Sequence, residues 1–177
     1  MDKNNISTSE FEESIKKFNA MYKMPVANVP TLKLVGDAVE RLTHFKNILT
    51  EELNEVDDII DSLKSVNAEV ESLTPSSEID ILKNVYDLRH LTNIADWLGD
   101  IQVYCASEML KFGIPINETL RIIMDSNFSK LDENGLPIYD ERNKVLKGPN
   151  YYKPEPKISE MLRSIKHPNI ASFTKNE

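Results

Sequence analysis

Residues 50–61 read TEELNEVDDIID. Half of these residues are carboxylates, and none is Lys or Arg. The apolar residues Leu49, Leu53, Val56 and Ile60 recur at three- and four-residue spacing, the mark of a helix. Residues three and four apart share a helical face, so Glu51, Glu55 and Asp58 are expected to stack along one side. Glu52 falls about 100° round from Glu51, at the edge of that stack. Like charges at this spacing repel by a few tenths of a kcal/mol per pair when exposed. Half-buried, they cost far more unless something positive lies between them.

A second acidic pair sits in residues 93–104, NIADWLGDIQVY. Asp96 and Asp100 are four apart, and the segment around them is otherwise apolar. If the two acidic helices pack antiparallel, one carboxylate set faces the other. Four or five oxygen donors converging between helices suit a hard divalent cation, Mg²⁺ or Mn²⁺. The plainer alternative for a single Glu-rich helix is a solvated face, and the pair inside an apolar helix weighs against it.

Outward from these stretches the chain reads as helix nearly throughout. Five Gly in 177 residues is few, and β-branched alternation is scarce. A first helix is expected over Ser9–Met21, with Phe11, Ile15 and Phe18 on one face. Pro25 and Pro30 break it. A second runs from about Leu34 to Leu63, with Val35, Val39, Leu42, Phe45, Leu49, Leu53, Val56, Ile60 and Leu63 as its apolar positions. Residues 65–77 read as a loop or fraying end, with Thr74–Pro75 as a helix start. A third helix runs to Lys111 and stops at Gly113; a fourth follows Pro115 and Asn117 to about Asn127. From Phe128 periodicity fades into a long arm, a kind of loop that is usually functional or disordered. Short extended pieces are expected there, then a last helix over Ile158–Ile165, with Tyr139, Tyr151 and Tyr152 docking the arm. The expectation is one all-α domain over 1–177: four main helices in a bundle, core about 9–127, with a C-terminal loop arm over 128–177.

Charge and composition narrow the function. Residues 1–127 carry 12 Lys+Arg and 22 Asp+Glu, a balance of −10, whereas 128–177 carry 9 and 7, a balance of +2. An acidic body argues against nonspecific nucleic-acid binding. The one cysteine, Cys105, excludes a disulfide framework and reads as a small buried apolar residue. No apolar run reaches the roughly 20 residues of a membrane span, and the polar N-terminus is no leader. A cytoplasmic protein with neither nucleic acid nor membrane as partner is expected.

At this point the chain resembles a family, the all-α nucleoside triphosphate pyrophosphohydrolases of the MazG-like and phosphoribosyl-ATP pyrophosphohydrolase-like group. Glu51-Glu52-x-x-Glu55 resembles their EExxE half, and Asp100 the Asp of their ExxD half. The stretch ending in SNFSK (126–130) and the arm containing KVLKGPN (144–150) resemble that branch in the same order. The likeness covers roughly residues 11–158. It implies cleavage of an NTP or dNTP to the monophosphate and pyrophosphate with Mg²⁺, Mn²⁺ serving as an alternative, and it would fit nucleotide-pool housecleaning. It implies that Glu51, Glu52, Glu55 and Asp100 hold metal or position water, with a glutamate such as Glu51 or Glu52 as general base. It implies phosphate contacts from Asn127, Lys130, Lys144 and Lys147, and a site completed in a homodimer or dimer of dimers.

One position departs from the family pattern. The ExxD glutamate falls on Trp97, and the nearest substitute is Asp96, which shares a face with Asp100. The departure opens a second reading, a catalytically weakened protein that binds nucleotide or metal without turnover. Trp97 itself reads as a core or interface residue. A di-iron bundle is a third reading and a poor one: it uses Glu-x-x-His pairs, and only Asp87-x-x-His90 approximates that.

Overall fold

The computed structural model describes residues 8–33, 36–71 and 77–166. Among them the chain is all-α: α1 Thr8–Met21, α2 Ala38–Glu71, α3 Ser77–Lys111, α4 Ile116–Phe128 and α5 Glu155–Lys166. The only extended pairing there is a single antiparallel bridge, Tyr139 with Val145. No described helix is long and apolar enough to cross a membrane. The four expected main helices are present. α2 runs on through residues 65–71, read from the sequence as a loop or fraying end. Thr74 and Pro75 lie outside the described residues.

The chain divides into two compact units, one of residues 1–34 with 109–177 and one of residues 35–108. In the first, α1 packs on α4 and α4 on α5. Its apolar centre is Ile15, Leu110, Ile116 and Ile122, all buried. Two helix ends here close by the same device, a residue in the left-handed region whose N–H and the next reach back to carbonyls. At the end of α3 the residue is Gly113, φ 67: its N–H bonds Leu110 O at 3.1 Å and that of Ile114 bonds Met109 O at 2.9 Å. At the end of α1 it is Lys23, φ 57, where a side chain carries the steric cost that glycine avoids. Gly113 has a second reason to be glycine, because a Cβ would lie 2.3 Å from Val29 O. The chain after α1 runs beside this end of α3, with Ala27 N–H donating to Leu110 O and Thr31 N–H to Phe112 O.

The arm is built from two like turns. In each an aspartate carboxylate accepts two backbone N–H groups: Asp132 from Asn134 and Leu136, Asp140 from Arg142 and Lys144. In each the third residue after the aspartate has positive φ, Gly135 at 77° and Asn143 at 57°. The N–H bonds of Leu136 and Asn134 hold the Asp132 carboxyl below its usual range. The arm docks on the end of α4: Ser126 hydroxyl donates to Tyr152 O at 2.8 Å, and Tyr152 N–H donates to Ser129 Oγ at 3.2 Å. Gly148 N–H bonds Lys130 O at 2.9 Å. A Cβ on Gly148 would meet Leu131 O at 2.0 Å, so glycine is what lets the arm come this close. Tyr139 stays exposed; the docking tyrosine is Tyr152, through its backbone.

The second unit holds α2 and most of α3. Polar contacts tie the helices, among them Arg41 with Glu108, Glu52 with Trp97, and Ser62 with His90. As numbers rise on α2 they fall on α3, so the helices run antiparallel. The tie at the start of α2 is bidentate, Arg41 Nε to Glu108 Oε1 at 2.7 Å and Nη2 to Oε2 at 2.6 Å. That double hydrogen bond pushes the Arg41 guanidinium higher still.

The stripe read for α2 from the sequence merges two faces. Phe45, Ile48, Glu52, Val56, Ile59 and Leu63 are half-buried or buried and form the seam towards α3. Val39, Leu42, Leu53 and Ile60 are exposed. On α3, Tyr86, His90, Ile94, Trp97, Ile101 and Tyr104 are half-buried or buried, while Val85, Leu88, Leu91 and Leu98 are exposed. Cys105 is exposed as well, contrary to the buried role expected of it. Both helices carry more apolar surface than one partner helix can cover.

Candidate active site

Glu52 is the centre of the candidate site. The sequence placed it at the edge of a stack made by Glu51, Glu55 and Asp58. The structure reverses that order: Glu52 is 5 % exposed, and Glu51, Glu55 and Asp58 are exposed. The reason is register, since Glu52 shares the seam face with Ile48, Leu49 and Val56. Its Oε2 is buried without a hydrogen-bond partner, a costly condition for a carboxylate. Burial first, and then the charges of Glu55, Asp100, Glu51 and Asp96, push the Glu52 carboxyl above its usual range. The other four acids expected at a metal site are thus near enough for their charges to act on Glu52. Asp58 is not among the groups that press on Glu52, and Asp61 pairs with Lys64 at 2.8 Å on an exposed face.

Trp97 stands against this spot. Its indole N–H donates to the Glu52 backbone carbonyl at 2.8 Å, so the residue that departs from the expected pattern anchors the turn of α2 bearing the buried acid. Tyr104, half-buried and one turn beyond Asp100, was not singled out from the sequence. Burial and the charges of Glu52, Asp100, Glu55 and Glu51 raise its phenol, which sets it beside the same acids. Its four-residue spacing from Asp100 was the available signal.

A hard cation suits these donors in kind. All are carboxylate oxygens, they come from two helices, and one is buried with no partner. Among the described residues, however, no three His, Cys, Asp or Glu side chains are gathered in a way that could hold a metal ion. Four of the five acids are exposed, and only Glu52 is buried.

The residues implied for phosphate lie in the other unit. Lys130 Nζ donates to Asn127 Oδ1 at 2.8 Å, so these two form one polar group at the end of α4. The bond from Gly148 N–H to Lys130 O draws the neighbouring Lys147 to the same region. Lys147 Nζ lies 4.5 Å from the centre of the Tyr151 ring. Lys144 is exposed and closes the second arm turn.

No protein-family profile matches the chain, and no curated protein does. Among solved structures the chain is similar to that of a "putative NTP pyrophosphohydrolase" from Exiguobacterium sp. 255-15. The two are 21 % identical with a TM-score of 0.43, over 89 % of this chain and 97 % of that one.

Proposed function

We propose that this chain is a divalent-metal-dependent nucleoside triphosphate pyrophosphohydrolase, cleaving an NTP or dNTP to the monophosphate and pyrophosphate. The observation that carries the reading is the buried Glu52, whose Oε2 has no hydrogen-bond partner, with the charges of Glu55, Asp100, Glu51 and Asp96 acting on it. A buried carboxylate oxygen without a partner, with other acids nearby, is a condition that a bound cation would relieve. Glu51, Glu52, Glu55, Asp96 and Asp100 are the residues that would hold Mg²⁺ or Mn²⁺. Bound there, the cation would supply a water acidic enough to attack at neutral pH and would offset charge on the phosphates.

The chain's own groups have separable tasks in this reading. Glu52, its proton affinity raised by burial, accepts the proton of the attacking water. Trp97 fixes the backbone from which Glu52 projects. Lys130, oriented by Asn127, and Lys144 and Lys147 of the arm hold phosphate oxygens as point charges.

The same reading includes a homodimer, with dimers of dimers as its larger form. Val39, Leu42, Leu53, Ile60, Val85, Leu88, Leu91 and Leu98 form exposed apolar positions on α2 and α3. A second copy of the hairpin presents the matching surface. Covering them would remove their exposed apolar surface from water, the main driving force of association.

Trp97 favours a second reading, a nucleotide-binding protein without turnover, because its indole occupies the place where a fifth donor of glutamate length is expected. Pyrophosphate release from a panel of NTPs and dNTPs with Mg²⁺ or Mn²⁺ separates the two. Release that Glu52→Gln abolishes supports the enzyme. Tight nucleotide binding without release from any member supports the second reading.

A further inference from the structure

The unit formed by residues 1–34 and 109–177 contains a cleft that none of the proposed catalytic or phosphate residues lines. Its volume is about 470 Å³, and its lining includes Pro30, Leu32, Phe112, Ile114 and Leu162. That size is typical of a small-molecule site, as is an apolar lining with few polar groups. The polar groups are Thr31, Ser159, Arg163 and Lys166.

Helix α5 explains why the cleft is there. Ser159, Leu162, Arg163 and Lys166 fall at i, i+3, i+4 and i+7, so one face of the helix looks into it. α5 packs on α4, yet none of its residues is buried. Its apolar Ile158, Met161, Leu162 and Ile165 are only half-buried. The cleft is open to solvent along an amphipathic helix, so the apolar body of a ligand would cover side chains that the fold leaves half exposed.

The charges indicate what would fill it. Arg163 and Lys166 lie three residues apart, near enough to share one headgroup, and neither makes an ion pair among the described residues, whereas Arg41 and Arg121 do. Basic residues in a last helical turn also complement the helix dipole, but that role needs no cleft beside them. The Thr31 hydroxyl accepts from Lys33 N–H at 2.9 Å and keeps its own proton to donate. Among the described residues, no acidic one lines the cleft.

We infer that this cleft binds a small amphipathic anion, an apolar body carrying a single oxyanion headgroup, with Arg163 and Lys166 on the headgroup and Phe112, Ile114 and Leu162 around the body. Carboxylate and phosphate monoester share the required chemistry.

The test titrates the full-length protein with octanoate, octyl phosphate, octanol and inorganic phosphate, following backbone amide shifts by NMR. Expected are saturable shifts at Thr31, Phe112, Ile114 and Leu162 with at least one octyl anion, and binding at least about tenfold weaker for octanol and for phosphate alone, the loss that follows from removing a charge-assisted contact or the apolar body. Whichever octyl anion binds more tightly identifies the headgroup. Arg163→Ala combined with Lys166→Ala should reduce that anion to the level of octanol. Lys157→Ala, which removes an ammonium set over the Tyr152 ring instead, should leave it unchanged. Equal binding of octanol and both anions, shifts confined to other residues, or full affinity in the double variant would overturn the inference.

Discussion

The indole N–H of Trp97 donates to the backbone carbonyl of Glu52 at 2.8 Å, linking α3 to α2 at the turn that carries the buried acid. A carbonyl inside a helix already accepts one bond, and the indole takes its second lone pair. Trp97→Phe keeps most of the packing and loses this bond. The expected cost is about 1 kcal/mol, read as a lower urea midpoint at unchanged slope. Loss of turnover exceeding what that cost explains would show that the bond positions Glu52.

Glu52→Gln should separate stability from function. Glutamine removes a buried charge that neighbouring acids repel, so the metal-free variant is expected to be more stable than wild type. The pH dependence carries the same sign. The folded Glu52 carboxyl titrates above its unfolded value, so the native state binds the proton more tightly. Its contribution to stability therefore falls as pH rises from the unfolded value through the folded one, and is recovered on acidification. Thermal melts of the two proteins between pH 4 and 8, without divalent metal, should converge at the acid end and diverge towards neutrality.

Arg41 and Glu108 offer a test of the hairpin itself. The Glu108 side chain is 6 % exposed and that of Arg41 24 %. Arg41→Ala takes the bidentate partner from a buried carboxylate, with an expected loss of about 2–3 kcal/mol, below the value for a fully buried pair because arginine is partly wet. Chemical denaturation of this variant against wild type makes the comparison.

Gly148→Ala should loosen the arm from the end of α4, because its Cβ would lie 2.0 Å from Leu131 O. The expected result is rapid proteolytic cleavage within residues 131–148 while α4 and α5 stay intact. A cleavage rate equal to that of wild type would mean the backbone shifts to accommodate the methyl group.

Leu88→Lys places a charge on the exposed apolar face of α3. In the proposed homodimer it converts a dimer into a monomer by light scattering, with circular dichroism unchanged. A dimer that survives both this change and Leu53→Glu would remove the hairpin face from the interface.

The helices were legible because apolar spacing, Pro25, Pro30 and Gly113 punctuate the chain clearly. The acids were legible as candidates, since Glu51 and Glu55 on one helix and Asp96 and Asp100 on the next each lie four residues apart. Which acid is buried was not legible. α2 bears apolar residues on two faces, and a single-stripe reading drew Val39, Leu42, Leu53 and Ile60 into a core they do not join. Once Phe45, Ile48, Val56 and Ile59 are recognised as the seam, Glu52 falls inward. The role of Trp97 was hidden for another reason: a side chain donating to a backbone carbonyl on another helix leaves no periodic mark. Residues 65–71 read as a loop because Ser65 and Asn67 are weak helix formers, a preference that the length of α2 overrides.

The most direct measurement is Mn²⁺ binding to the metal-free protein, followed by electron paramagnetic resonance, for wild type, Glu52→Gln and Asp100→Asn. The expected result is a saturable site in wild type that each substitution weakens by about tenfold or more, as loss of one charged ligand implies. Absence of a saturable site, or one that both variants retain at full affinity, would contradict a cation site at the acids of α2 and α3.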